Sequence, residues 1–302
     1  MRLLFHQTAL GDFAVVLPML RAMAAAGPTS VVAPWSRIEL ATTFIPGLRG
    51  MDIELFEFSR LHVPGGPAHL SPLVAKAFAA AELIVSFIAT DEQDWSANVR
   101  RLAPDAKLVC VPPIPPSDWA EPAAAYHAAV LDRAGVADLY APAPTVDLHH
   151  AEGPIVVHPG SGSVAKQWPL DRFEALIDRL HAAQPDRAIR VIAGEAEIDR
   201  WSPGTLEHWQ DRHHLIECRT AAGLLDALRD AAVYIGNDAG PTHVAAQAGL
   251  PTVVLFGPSD PGVWCPVGPR VTALTPETSG AMDWLEVDAV EAVVAELLAG
   301  QR

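Results

Sequence analysis

The chain of 302 residues is half hydrophobic, and its formal net charge at neutral pH is −15. This length predicts two domains of about 150 residues each, and the apolar content allows a sizeable core, which excludes wholesale disorder. The negative charge argues against a nucleic-acid partner, and no apolar run approaches the ~18 residues that a membrane-spanning helix needs.

The cysteines and the first residues bear on the cellular compartment. Cys110, Cys218 and Cys265 are scattered, with no metal-binding or redox spacing, and they fit a reducing compartment. The apolar run at residues 3–5 is too short for a signal peptide. We therefore expect a cytoplasmic protein.

The first half of the chain alternates between short apolar runs and helical patterns. The predicted strands cover residues 2–5, 30–33, 53–58, 83–89 and 107–111. The predicted helices cover residues 13–26, 70–80, 95–102 and 120–134. Between the first strand and the first helix, Gly11 and Asp12 form a predicted turn, where the Asp12 carboxylate would cap the helix or interact with its dipole. The alternation predicts a doubly wound parallel sheet.

A predicted linker, at residues 142–144 and continuing to Gly153, separates this series from a second one. The predicted domains are therefore residues 1–145 and 146–302. The second series has predicted strands at 155–158, 188–193, 215–218, 233–235 and 251–256. Its predicted helices cover 171–183, 224–231, 242–248 and 288–299. The second half is thus also a predicted parallel α/β domain.

The segment 233–261 contains the most informative turn. A short apolar strand ends in the polar run from Gly236 to Pro241, and Pro241 suits the first position of the helix that follows. Such a turn directs free backbone N–H groups and the positive end of a helix dipole to one point, which predicts an anion site. Asp238 beside it favours a ligand that also carries hydroxyl groups, such as a sugar phosphate.

A second anion-binding loop is predicted at residues 160–163, after the strand at 155–158. Its glycines let the backbone approach a ligand closely, Ser161 and Ser163 add hydroxyl groups, and Lys166 adds a positive charge. An ordinary exposed loop lysine is the alternative interpretation of Lys166. Because open parallel sheets bind ligands at the carboxyl ends of their strands, the two loops together predict a cradle for a diphosphate.

Several common motifs are absent from the sequence. It contains no GxGxxG fingerprint of dinucleotide-binding dehydrogenases, no nucleotide-binding P-loop and no H-E-x-x-H zinc motif. It also lacks an Asp-x-Asp pair, a common bridge from a metal ion to a diphosphate. We therefore expect neither a metal nor a cofactor.

Three groups of residues share a pattern with a known enzyme family. The first is Asn-Asp-Ala-Gly-Pro-Thr-His at 237–243, with Gly-Leu-Pro at 249–251 and Phe-Gly-Pro-Ser-Asp-Pro at 256–261. The second is the loop at 158–163 with Lys-Gln-Trp-Pro at 166–169, and the third is the strand, Gly-Asp turn and helix at 2–18. In order and position these groups resemble glycosyltransferase family 9, the lipopolysaccharide heptosyltransferases.

The resemblance implies a GT-B fold, with two Rossmann-like domains facing a cleft, and an inverting transfer of heptose from ADP-heptose. The acceptor would be the lipopolysaccharide core or a related glycan, bound by the N-terminal domain, with peripheral contact to the inner membrane through a glycolipid acceptor. Asp12 would be the catalytic base. The implied donor-binding residues, all in the C-terminal domain, are Ser161, Ser163, Lys166, Glu197, Asp238, Ala239, Gly240, Thr242 and His243.

The residues themselves leave alternatives open. A non-catalytic module that binds a nucleotide sugar, with Asp12 as a helix cap, fits the same loops, and so does a GT-B sugar-nucleotide epimerase. Glu197, implied by the resemblance to bind the ribose, could instead be a solvated charge at the start of a helix. His158 and His243 are single histidines, which are more often structural than functional.

Overall fold

The computed structural model describes residues 1–140 and 146–300. The chain divides into two compact units, Met1–Ala141 and Pro142–Arg302. The predicted linker residues 142–144 lie outside the described residues, and the predicted domain boundary after residue 145 falls at the edge of that segment.

The N-terminal unit is built on five parallel strands in the order β3-β2-β1-β4-β5. The strands are β1 (Arg2–Phe5), β2 (Thr29–Ala33), β3 (Arg49–Asp52), β4 (Leu83–Ser86) and β5 (Lys107–Cys110). The helices are α1 (Leu10–Ala26), α2 (Trp35–Phe44), α3 (Phe56–Ser59), α4 (Pro72–Ala79), α5 (Asp94–Leu102) and α6 (Ala123–Arg133). A 3₁₀ turn covers Arg60–His62.

The C-terminal unit is built on six parallel strands in the order β11-β10-β9-β6-β7-β8. The strands are β6 (Ile155–His158), β7 (Ile189–Gly194), β8 (Ile216–Cys218), β9 (Val233–Asn237), β10 (Thr252–Leu255) and β11 (Val271–Leu274). The helices are α7 (Leu170–Ala183), α8 (Glu195–Arg200), α9 (Pro203–His213), α10 (Ala221–Leu228), α11 (Gly240–Gln247), α12 (Pro261–Trp264) and α13 (Val287–Ala299). Short 3₁₀ turns cover Val164–Lys166 and Met282–Trp284.

The central strands are continuous apolar runs because helices cover both faces of a parallel sheet. Every residue of β6, β9 and β10 is buried. In the predicted helix at 171–183 the apolar residues Phe173, Leu176, Ile177 and Leu180 recur at helical spacing and predict one buried face. This face is confirmed, since these side chains of α7 are buried in the same core as those of α13. The two predicted anion-binding loops follow β6 and β9, two strands of this packed sheet.

The predicted strand at 53–58 is wrong, because the strand is Arg49–Asp52 and α3 begins at Phe56. Pairing with β2 sets this register, with Ser30 opposite Arg49 and Ala33 opposite Asp52. Helix α2 packs so closely that a Cβ on Gly50 would lie 2.1 Å from Ile38 Cγ2. Gly and Asp are rare in strands, so the pattern in Arg49–Asp52 was too weak to predict it.

Two further predictions need correction at helix starts. Helix α1 begins at Leu10, with Ala9 at the N-cap, so Gly11 and Asp12 lie in its first turn and Asp12 is not the cap. For residues 195–197 the sequence alone predicts a loop after the strand at 188–193, but these residues form the first turn of α8. Helices α2 and α9 and the edge strand β11 were not predicted.

No helix among residues 1–140 and 146–300 is both long enough and apolar enough to cross a bilayer.

Candidate functional site

Three neighbouring strands deliver all the predicted donor residues to one edge of the C-terminal sheet. Strand β6 leads into the loop with Ser161, Ser163 and Lys166, β7 leads directly into α8 with Glu197, and β9 leads into Asp238 and α11. Because β9, β6 and β7 are adjacent and parallel, their carboxyl ends meet at this edge. The predicted convergence of the two anion-binding loops is therefore present.

A buried carboxylate lies at the centre of this edge. Lys166 Nζ is 2.7 Å from Asp238 Oδ2, and His243 Nε2 is 3.4 Å from Asp238 Oδ1. Asp238 and His243 are buried, whereas the Lys166 side chain remains 36% exposed. The lysine thus joins the two loops across 72 positions of sequence.

The environment of Asp238 keeps it ionised. Burial acts to raise the pKa of its carboxyl, but the hydrogen bond and charge of His243, followed by the charge of Lys166, outweigh burial and hold the pKa below its ordinary value. An ionised carboxylate only accepts hydrogen bonds, so it suits the hydroxyl groups of a sugar and repels a phosphate. A phosphate at this edge would therefore need the surrounding N–H groups and Lys166.

The start of α11 offers such N–H groups. Ala239 is the N-cap in an extended conformation, no side chain caps the helix, and Pro241 occupies its first turn. Thr242 is fully buried, and its hydroxyl donates to the carbonyl of Asn237 at 2.6 Å. The Thr242 side chain therefore stabilises the turn, and the N–H groups that this helix start presents to an anion are those of Ala239 and Gly240.

Asn237 was missed as a site residue, although it precedes Asp238 at the end of a buried strand. Its Nδ2 donates to the carbonyls of Pro159 and Gly160 at 3.2 and 2.8 Å, and its Oδ1 accepts from Trp168 N at 2.9 Å. It therefore ties the two anion-binding loops together. The signal that could have revealed it was an amide side chain at the last position of a strand that is otherwise apolar and buried.

Glu197 is buried, so its interpretation as a solvated charge is wrong. Its Oε2 accepts from Gly194 N at 2.9 Å and lies 3.1 Å from His158 Nε2. Burial acts to raise the pKa of this carboxyl, but the hydrogen bond and charge of His158 and the Gly194 N–H outweigh it, so the pKa is lowered. Contact of Glu197 with a ribose stays a prediction.

Asp12 lies in the first turn of α1, the helix that follows β1, and is half-buried. Among the described residues, no hydrogen bond or ion pair engages its carboxylate. His6, at the end of β1, is buried, and burial above all, then the charges of His127 and Arg37, lower its pKa to about 3. His6 is therefore neutral near pH 7 and offers Asp12 no charge partner.

The loop after β4 lines two cavities of about 420 and 400 Å³ in the N-terminal unit. The first is lined by His62, Ile88, Glu92, Gln93, Asp94 and Trp95. The second lies between residues 87–93 and 110–113. Both volumes suit a small ligand. The polar run after a buried strand, at residues 90–94, was the signal that sequence reasoning left unused.

No group of three or more His, Cys, Asp or Glu side chains within the described ranges could hold a metal ion. Independence from metals stays a prediction, because it concerns the reaction itself.

The sequence of this chain is similar to those of known glycosyltransferases. The model of glycosyltransferase family 9 (heptosyltransferase) matches residues 126–291, more than half of the chain. Lipopolysaccharide heptosyltransferase 1 of Pseudomonas aeruginosa is 29% identical over 132 residues, which cover 44% of this chain and 34% of the relative. Lipopolysaccharide heptosyltransferase 3 of Escherichia coli is 28% identical over 145 residues, covering 45% of this chain and 36% of the relative. The aligned part thus spans about a third of these curated relatives.

A solved structure matches over nearly the full length. The E. coli heptosyltransferase WaaC with ADP aligns with a TM-score of 0.65 and 17% identity, covering 98% of this chain and 100% of that chain. This likeness shows a common fold. The predicted fold class, two parallel-sheet α/β domains of the GT-B class, is confirmed.

Proposed function

Because the chain belongs to glycosyltransferase family 9, we propose that it is an inverting glycosyltransferase that uses a nucleotide sugar, with ADP-heptose as the first candidate. The acceptor is the lipopolysaccharide core or a related glycan. The enzyme works in the cytoplasm without metal or cofactor, and it meets the inner membrane only through a glycolipid acceptor.

The cluster of Lys166, Asp238 and His243 carries this proposal. Here a lysine ammonium contacts a buried carboxylate beside a helix start and a Gly-Ser loop. The positive charge suits the diphosphate of a nucleotide sugar, and the negative charge suits the hydroxyl groups of its sugar. Lys166 and the N–H groups of the two loops hold the diphosphate, and the Asp238 carboxylate accepts hydrogen bonds from the sugar hydroxyls.

The same groups account for the departure of the nucleotide. Negative charge grows on the diphosphate as the glycosidic bond breaks, and fixed N–H dipoles with a nearby cation stabilise it. Lys166 and the α11 start take this role, so no metal is required.

Asp12 completes the reaction from the acceptor side. Its carboxylate takes the proton of the acceptor hydroxyl, and the oxygen attacks the anomeric carbon opposite the nucleotide. A half-buried carboxylate without a protein partner among the described residues is free for this proton transfer.

Thermal-shift screening with ADP-, UDP-, GDP- and CMP-sugars, followed by product analysis, tests the proposal. Since a ligand that binds only the folded state raises its stability, ADP-sugars are expected to give the largest shift. Transfer to a core acceptor with release of ADP supports the proposal. Binding without turnover indicates the non-catalytic module, and conversion of the sugar alone indicates an epimerase; either outcome rejects the transferase.

A metal requirement is tested in the same assay. We expect unchanged turnover in EDTA, because the diphosphate charge meets Lys166 and backbone N–H groups. Activity that vanishes in EDTA and returns with magnesium or manganese would contradict this expectation.

A further inference from the structure

Four consecutive carbonyl groups of the loop after β6 each accept a side-chain hydrogen bond. Asn237 Nδ2 donates to the carbonyls of Pro159 and Gly160. Arg200 donates to the next two carbonyls: its Nη2 donates to that of Ser161, and its Nη1 donates to that of Gly162 at 3.3 Å. These four carbonyls are therefore held from both neighbours of β6, by Asn237 of β9 and by Arg200 of α8, which follows β7.

This arrangement dictates where the N–H groups of the loop point. In a trans peptide each carbonyl points away from the N–H of the next residue. Holding the carbonyls of Ser161 and Gly162 against Arg200 thus turns the N–H groups of Gly162 and Ser163 away from Arg200, and the Ser163 N–H lies 3.4 Å from Ser161 Oγ. Successive N–H groups on one side of a loop form an anion-binding concavity.

Arg200 is itself held in place by its own helix and by Glu197. Its Nε donates to the carbonyl of Ala196 at 3.1 Å, and its Nη2 is 3.7 Å from Glu197 Oε1. Glu197 packs against the loop so tightly that a Cβ on Gly160 would lie 2.1 Å from its Cγ and Cδ atoms. The positive charge of Arg200 is thus balanced by a buried carboxylate.

We propose that Arg200 is a positioning residue for the donor diphosphate, acting through the carbonyls of Ser161 and Gly162 and not by contact of its guanidinium with phosphate. This inference rests on the proposed function, since it takes the loop as a diphosphate site. A planar guanidinium can donate to two carbonyls and a carboxylate together, whereas the ammonium of a lysine is a point charge on a flexible stem.

Isothermal titration with ADP, at low and at high salt, compares the parent with Arg200→Ala and Arg200→Lys. We expect about tenfold weaker binding in both variants, with the same loss at both salt concentrations, because the loop geometry is lost and not a charge. Arg212 is a matched control, since it is also half-exposed and pairs with Asp178 at 2.7 Å; Arg212→Ala should bind ADP as the parent does.

A direct phosphate contact gives a different pattern. Arg200→Lys would then retain most of the affinity, and the loss in Arg200→Ala would shrink at high salt. Either result overturns the proposal, and so does unchanged affinity in both Arg200 variants.

Hydrogen exchange without nucleotide separates this inference from the function on which it rests. We expect the amides of residues 160–163 to exchange faster in Arg200→Ala and Arg200→Lys than in the parent and in Arg212→Ala. Unchanged exchange rejects the positioning role, even if ADP affinity falls. If the parent binds no nucleoside diphosphate, the proposed function fails, whereas the exchange result still decides whether Arg200 orders the loop.

Discussion

Asp238 and Lys166 illustrate how a single ion pair can serve a ligand. The lysine neutralises a carboxylate that is almost completely buried, yet its own side chain stays partly exposed and can reach a second anion. A diphosphate bound at the loop of residues 160–163 would therefore share Lys166 with Asp238. Removal of the lysine affects both anions at once.

We expect Lys166→Ala to weaken ADP binding by roughly 1.5–3 kcal/mol, because a charge-assisted contact is lost. Isothermal titration measures the change. Lys76→Ala is the control, because Lys76 is an exposed lysine of the N-terminal unit and its removal changes the net charge equally. Equal affinities of Lys166→Ala and the parent would show that Lys166 is an ordinary loop lysine.

The second prediction at this scale concerns Asp12→Asn. An amide cannot take the acceptor proton, so transfer should fall ~10²–10⁴-fold, while ADP-sugar affinity stays the same. Because Ala9 is the N-cap of α1, loss of the Asp12 charge removes only its interaction with the helix dipole, about 0.3–1 kcal/mol. Turnover within a fewfold of the parent, measured with thermal stability as a check on folding, would rule out the base.

At the scale of elements, the contact between α8 and the loop after β6 has no room for a side chain. Glu197 cannot retreat from a Cβ on Gly160 without leaving its Gly194 and His158 partners. We expect Gly160→Ala to lower the free energy of unfolding by about 1–3 kcal/mol and to weaken ADP binding, because the overpacked loop must shift. Denaturant unfolding and titration measure both effects.

Gly162→Ala is the matched control for this element. Apart from its chain neighbours, no residue within 1–140 and 146–300 has a heavy atom within 4 Å of a Cβ at that position, and its φ is not positive. Its stability should stay close to that of the parent. A stable Gly160→Ala protein would indicate that α8 and the loop can separate freely.

At the scale of the whole molecule, buried neutral histidines make stability depend on pH. In the N-terminal unit, burial lowers the pKa of His127 to about 4, and burial with the nearby His127 and Arg37 charges lowers that of His6 to about 3. Both rings pack against Phe87.

The sign of the pH effect follows from these lowered pKa values. The unfolded chain binds protons at both histidines below pH ~6.5, whereas the folded protein does so only near pH 3–4. Their contribution to stability is therefore complete above pH ~6.5 and is lost progressively as the pH falls toward 4. A tenfold change in the acid dissociation constant of a group on folding corresponds to about 1.4 kcal/mol of stability.

We accordingly expect the free energy of unfolding of the parent to fall between pH 7 and 5, and His127→Phe to show a shallower slope. Denaturant titrations at several pH values measure both slopes. Phe keeps an aromatic ring against Phe87 and removes the titrating group, at the cost of the hydrogen bond to the Pro113 carbonyl. Parallel slopes for the two proteins would show that His127 titrates normally.

The local pattern of the sequence determined which central elements form and which loops follow them. Continuous apolar runs predicted β1, β6 and β9, and the 3.6-residue stripe predicted α7, because these patterns reflect burial of one face or both faces of a single element. The turns after β6 and β9 were predictable for a similar reason, since glycine, proline and small polar residues set the backbone directly. The strand at Arg49–Asp52 and the edge strand β11 lacked such a pattern. Their strand conformation depends more on hydrogen bonds to the neighbouring strand than on the preferences of their own side chains.

Only the tertiary structure decided how the side chains of these loops are used. Lys166 meets Asp238 across 72 positions and Arg200 meets Ser161 across 39, and no local pattern specifies such distant pairs. The sequence left Glu197 open as either a ribose ligand or a solvated charge, and packing against Gly160 and His158 buries it. Hydrogen bonds and ion pairs of this kind depend on where the sheet places the ends of its strands. The sequence therefore indicates which residue types lie at this edge of the sheet. The packing of the sheet determines which side chains form hydrogen bonds and ion pairs with one another.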